Sequence, residues 1–96
     1  MTKTRRQPIA PLVLIVDDSD TRVMYSMYLT AQRIRVLVAA DGTTAIRTAV
    51  SSQPDVIVMD LSLPGIDGWD AIRWLKGYKR TAHIPVIALT GALLRS

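Results

Sequence analysis

The chain contains no cysteine, which excludes a disulfide framework and any thiolate metal site and suits a reducing cytoplasm. It has one histidine, His83, so the nitrogen and sulfur donors that zinc prefers are not on offer. No apolar run approaches the ~18 residues of a membrane span. The longest near the N-terminus, Leu12 to Val16, stops at Asp17 and Asp18 and is too short for a secretory signal. Long blocks of like charge are missing too. Three basic residues, Lys3, Arg5 and Arg6, stand before Pro8, and the others read as dispersed. The formal net charge of +4 is therefore expected to reflect a solvated leader, and not a nucleic-acid-binding stripe. There is no internal repeat, no low-complexity tract and no linker beyond the leader.

What is present is an ordinary globular composition, 49% hydrophobic and 21% charged over 96 residues, enough for one domain with a packed core. Residues 1–10 read as a flexible basic leader and 11–96 as the domain. Four apolar runs stand out: Leu12 to Val16, Val36 to Ala40, Val56 to Met59, and Ile84 with Val86 to Leu89. Their continuous Val, Ile and Leu character, without alternation, predicts strands covered on both faces, as in a parallel sheet.

Helical periodicity fills the gaps. Val23, Met24, Met27, Tyr28 and Ala31 share a spacing that predicts an inward stripe, with Asp18 or Ser19 as N-cap. Asp41-Gly42-Thr43-Thr44 opens a second helix, in which Ala45, Ile46, Ala49 and Val50 face inward before Pro54. A third begins near Asp67, with Asp70 as partner in a capping box and Trp69, Ile72 and Leu75 inward, and ends at Gly77. Trp69 and Trp74 lie five apart and share no face, which argues against a base-stacking platform; they read as core and flank. His83, at a strand entrance, reads as structural or solvated. The expected fold is α/β, a doubly wound parallel sheet joined by right-handed crossovers.

In such sheets functional groups gather at the carboxyl ends of the strands. Asp17 and Asp18 follow the first strand, Asp60 closes the third, and Thr90 with Gly91 closes the fourth. Carboxylates on neighbouring strand ends repel one another by on the order of a few kcal/mol when partly shielded from water. A hard divalent cation relieves that repulsion, and Mg2+ favours such an all-oxygen set completed by water. Asp17 and Asp18 also suit the plainer role of capping the helix that follows.

Taken together, Val16-Asp17-Asp18-Ser19, then Asp41-Gly42 with Ala45, then Pro54-Asp55-Val56-Ile57-Val58-Met59-Asp60-Leu61 with Leu63-Pro64-Gly65-Ile66-Asp67-Gly68, then Ile84-Pro85-Val86-Ile87-Ala88-Leu89-Thr90-Gly91 closely resemble two-component response-regulator receiver domains. The resemblance runs from about Leu12 to Gly91 and implies the flavodoxin-like, CheY-like fold. It also implies a phosphoacceptor at Asp60, a carboxylate ionised at neutral pH and so a nucleophile that needs no activating base. It implies Mg2+ held by Asp17, Asp18, Asp60 and the Ser62 backbone carbonyl, with the metal neutralising charge on the phosphoryl group. Thr90 matches the switch hydroxyl, and Leu61 and Ser62 stand where they influence access to the site. The implied partner is a sensor histidine kinase or phosphotransfer protein, and the implied role is a switch more than an enzyme.

The family pattern continues after Thr90 with a helix, a strand ending in lysine and proline, and a final helix. Here Gly91 to Ser96 contain no lysine, so the chain reads as truncated after the fourth strand, with phosphorylation impaired. That strand is expected at a sheet edge beside an apolar face, and self-association or a domain-swapped dimer is expected to cover it. Two rival readings are a non-phosphorylated interaction module and a Mg2+-dependent phosphohydrolase. The phosphohydrolase needs a second aspartate where Ser62 stands.

Overall fold

Short runs of β-branched and leucine side chains form the strands, and the helical stripes between them cover the sheet. The computed structural model describes residues 10–17, 26–61 and 68–89. In chain order these hold β1 (Leu12–Val16), helical residues 26–31 (α1), β2 (Arg35–Ala39), α2 (Gly42–Ser52), β3 (Val56–Asp60), α3 (Gly68–Gly77) and β4 (Val86–Leu89). The strands form one parallel sheet in the order β2-β1-β3-β4, the α/β architecture expected from the sequence.

Register follows from anchors at the amino ends. Leu12 N–H donates to Asp55 Oδ2 at 2.7 Å, and Asp55 N–H donates back to the Leu12 carbonyl at 2.8 Å, tying β3 to β1. Arg35 N–H donates to the Pro11 carbonyl at 2.9 Å, so β2 starts at Arg35, one residue before the predicted Val36. It ends at Ala39 because the chain then turns into the cap of α2. At the other edge, Pro85 has no N–H to give a ladder. Its carbonyl still accepts from Ile57 N–H at 3.0 Å, and β4 begins at Val86 rather than at Ile84.

Leu14, Val16, Ala39, Ile57 and Met59 pack with Ala45 and Ala49 of α2 and with Ala71 and Leu75 of α3 in one buried cluster, which Ile84 completes. Small alanines on the helices let both approach the sheet closely. Asp41 Oδ1 accepts from Thr44 N–H at 2.8 Å, capping α2 as predicted. Gln53, left-handed at φ 49°, ends that helix with its N–H on the Ala49 carbonyl.

Two predicted stripes are displaced. Met27 and Tyr28 are 69% and 64% exposed, and Ala31 is exposed; half-buried Leu29 faces Ile15 and Val58, with Tyr28 at the margin of the same groove. At 3.6 residues per turn, positions 27 and 31 point about 200° away from Leu29. In α3 the buried line is Gly68, Ala71 and Leu75, with Ile72 packed against the core. Trp69 is 55% exposed and Trp74 44%, so neither is a core residue. The expected stripe members Val23 and Met24, and the cap residues Ser19 and Asp67, lie outside the described residues. His83 is exposed in the turn before β4.

Candidate functional site

Two of the predicted site residues, Asp17 and Asp60, are described, and the sheet brings them together. Asp17 follows β1 directly and keeps its ladder: its N–H donates to the Ala39 carbonyl at 3.2 Å. Asp60 is the last residue of β3 and pairs with Leu89, while Leu61 N–H donates to the Leu89 carbonyl at 3.0 Å. The β1–β3 register sets Val16 opposite Met59. One step further along both parallel strands, Asp17 stands beside Asp60, with the strands about 4.8 Å apart.

Both acids also belong to one face. Asp17 is two residues past Ile15, and Asp60 two past Val58, and Ile15 and Val58 are themselves register partners. With side chains alternating along each strand, the two carboxylates sit on the α1 side of the sheet at its carboxyl edge. Asp17 is 8% exposed and Asp60 half-buried, so their charges are only partly screened by water. Asp18, Ser62 and Thr90 lie outside the described residues; Leu89, which precedes Thr90 in sequence, is the β4 partner of Asp60.

A further acid follows β2, but it is already employed. The Asp41 carboxyl is held below the usual carboxylate range, first by the Thr44 backbone N–H that it accepts, and its role is to cap α2. Among the described residues no three His, Cys, Asp or Glu side chains cluster as a metal site, since Asp17 and Asp60 contribute two. Those two present hard oxygen donors on adjacent strands. This donor set fits Mg2+ or another hard dication and does not fit zinc.

Sequence reasoning missed the residues that hold α3 against the end of β3 and the start of β4. Gly68 opens α3 against the end of β3, where an added Cβ would meet the Asp60 carbonyl oxygen at 2.5 Å and Leu61 Cα at 2.5 Å. At the far end of α3, Lys76 Nζ donates to the Ala82 carbonyl at 3.2 Å and the Ile84 carbonyl at 2.6 Å. Fully buried Thr81 donates its hydroxyl proton to the Leu75 carbonyl at 2.7 Å. These contacts fix the entry of β4 against α3. The available signal for Gly68 was its place at the close of the Pro64-Gly65-Ile66-Asp67-Gly68 motif; a buried threonine in a turn carries none.

The profile of the response regulator receiver domain matches residues 13–93. Among curated relatives, response regulator PleD of Caulobacter vibrioides is 40% identical over 79 residues, 81% of this chain and 17% of its own length. Protein PilH of Pseudomonas aeruginosa is 39% identical over 80 residues, 81% of this chain and 65% of its own. The chain thus spans less than two thirds of either relative. Among solved structures, the receiver domain of a sensor histidine kinase from Pseudomonas aeruginosa PAO1, with magnesium coordinated in its active-site cleft, superposes at a TM-score of 0.82 with 32% identity. That match covers 91% of this chain and 72% of the other. Chemotaxis protein CheY4 of Vibrio cholerae superposes at 0.77 with 30% identity, covering 82% and 67%. The parallel sheet, the paired acids at its carboxyl edge and these matches lead to one conclusion: the chain belongs to the response-regulator receiver domain family of two-component signalling systems.

Proposed function

We propose that this domain, residues 11–96, is a phosphorylation switch in which Asp60 accepts a phosphoryl group from a histidine kinase or phosphotransfer protein. The observation that carries the proposal is the register that sets Asp17 beside Asp60 at the carboxyl edge. A carboxylate oxygen of Asp60 attacks phosphorus, the P–N bond of the donor phosphohistidine breaks, and the imidazole leaves with the bonding pair and takes up a proton. A carboxylate nucleophile needs no base to activate it.

Asp17, Asp18, Asp60 and the Ser62 carbonyl are assigned as the residues that would hold Mg2+, and Thr90 as the hydroxyl that responds to phosphorylation. When bound, the ion supplies positive charge to the transferred phosphoryl oxygens. Asp17, mostly shielded from water, supplies negative charge to that ion and keeps the acidic edge on the α1 side of the sheet. Gly68 keeps the backbone of Asp60 in place from below. Residues 1–10 are assigned as a leader outside the switch, and a cytoplasmic location accompanies the proposal. No helix among the described residues is long and apolar enough to cross a membrane.

The decisive experiment is intact-mass spectrometry after incubation with acetyl phosphate and MgCl2, on the parent and on Asp60→Asn. One added phosphoryl unit in the parent, lost in the variant, is the expected result. An unmodified parent would overturn the proposal in favour of a non-phosphorylated interaction module.

Self-association through the α1 side of the sheet is proposed as a second property. Val38, Ile15, Val58 and Ile87 stand in one register row across all four strands, and Ile87 is 52% exposed. Beside them Ile15, Tyr28, Leu29, Val58 and Leu89 line an apolar groove of about 290 Å³. Among the described residues β4 is an edge strand of four apolar side chains, without the lysine or bulge that blunts such edges. Pairing of β4 with its counterpart in a second copy would satisfy the edge and cover Ile87.

A further inference from the structure

The end of α3 presents an aromatic pair, Trp74 in the helix and Tyr78 just past it, that the activity proposed above does not use. Their ring centroids lie 4.8 Å apart with planes inclined at 39°, and both remain substantially in water, Trp74 at 44% and Tyr78 at 36% exposure. With Arg73 and Gly77 they line a groove of about 300 Å³. Nothing lies within 4 Å of where a Gly77 side chain would begin, so the space over that glycine is open.

The charges around the groove are unbalanced. Arg73 pairs with Asp70, and Lys76 turns away to the Ala82 and Ile84 carbonyls. Lys79 and Arg80, just past the helix end, are exposed, and neither has a carboxylate partner among the described residues. They follow Tyr78 directly in the chain, next to one of the residues that line the groove. Cations within the last helical turn would be explained by the helix dipole, which is the place Lys76 already fills. Lys79 and Arg80 lie beyond it.

We infer that the Trp74–Tyr78 groove with Lys79 and Arg80 is a docking site for an acidic protein segment that inserts one apolar side chain. The volume suits an apolar anchor, and buried aromatic anchors fringed by complementary charge are how small interfaces gain affinity and partner choice. Nucleic acid fits less well. The two rings close on each other instead of offering parallel faces to successive bases, and two adjacent cations make no track for a phosphate backbone. The ten-residue α3 is about 15 Å long and meets Asp60 at its opposite end. A partner here therefore leaves the phosphoacceptor edge open to a phosphodonor.

The test is fluorescence anisotropy of the full chain with three fluorescein-labelled probes: a peptide alternating glutamate with leucine around one tryptophan, the same peptide with serine for every apolar residue, and oligothymidylate. The apolar acidic peptide is expected to bind at least about tenfold more tightly than either other probe. Tyr78→Ala and the pair Lys79→Glu with Arg80→Glu are each expected to remove that advantage, while Tyr78→Phe keeps it. Asp60→Asn is expected to leave peptide affinity unchanged, which separates docking from phosphorylation. The charge-reversed pair alters only exposed side chains, and matching circular dichroism separates a lost surface from a lost fold. Equal binding of the serine peptide, tighter binding of oligothymidylate, or full affinity in the folded charge-reversed variant would overturn the inference.

Discussion

Gly68 is pressed against the backbone of Asp60, so that a methyl group at position 68 would overlap the Asp60 carbonyl oxygen at 2.5 Å. Two effects of Gly68→Ala oppose each other. Alanine at a helix start is favoured by up to about 1 kcal/mol through propensity, whereas an overlap with backbone costs about 1–3 kcal/mol because no side-chain rotation relieves it. The overlap prevails, and urea denaturation should show net destabilisation. Because the strain falls on the end of β3, phosphoryl uptake from acetyl phosphate should slow as well. A more stable Gly68→Ala protein would show that the contact relaxes freely.

The cap of α2 makes a pH prediction. The Asp41 carboxyl titrates below its ordinary 3.8 because it accepts the Thr44 N–H, so its ionised form favours the folded chain. That contribution is fully present above the ordinary carboxylate range and is lost as pH falls through the depressed value. Asp41→Ala should lower the urea midpoint at pH 7, and the gap between the two proteins should narrow in the most acidic part of the titration. Asp41→Asn caps without charge and should lose less at pH 7. A gap independent of pH would contradict the assignment.

Thr81 is fully buried and donates to the Leu75 carbonyl. Thr81→Val keeps the shape but removes that donor, and leaving a buried carbonyl short of it costs about 1–3 kcal/mol. Thr81→Ser keeps the bond and sheds a methyl, at a cost of about 0.8 kcal/mol. Denaturant midpoints should therefore rank parent, serine, valine. Equal losses in both variants would mean that packing alone holds the turn.

The proposed self-association depends on Ile87. Ile87→Lys places a charge at the centre of the β4 edge, a substitution that opposes strand pairing between copies. Analytical ultracentrifugation is expected to show the parent shifting to dimer with concentration and the variant remaining monomeric. A parent that stays monomeric throughout would dispose of the idea.

The strand positions and the meeting of Asp17 with Asp60 could be read from sequence because each depends on local pattern: an apolar run ending in a carboxylate, repeated on strands that a parallel topology aligns. Met27, Tyr28 and Trp69 could not be placed this way. Periodicity finds a helix and its apolar residues, but which of them faces the sheet depends on close approach, set by Leu29 in α1 and by a glycine in α3. The Trp74–Tyr78 pair is not legible as a stripe, because Tyr78 lies just past the end of α3 at Gly77 and only the folded turn brings its ring against Trp74. The contacts of Lys76 and Thr81 join segments that only the tertiary fold brings together.

The paired acids give the sharpest separation of effects. Asp17 and Asp60 stand on adjacent strand ends, and like charges there oppose folding when no cation is present, by on the order of 2 kcal/mol for partly shielded groups. Asp17→Asn removes one charge with little change of shape, so the metal-free variant is expected to melt above the parent. The same substitution takes away a proposed Mg2+ ligand. Saturation by an ion at 100 times its dissociation constant stabilises a protein by about 2.7 kcal/mol, and a tenfold weaker site forfeits about half of that. The variant should thus melt above the parent without the ion and gain less than the parent does on adding MgCl2. A variant that gains as much from MgCl2 as the parent does would remove Asp17 from the metal site.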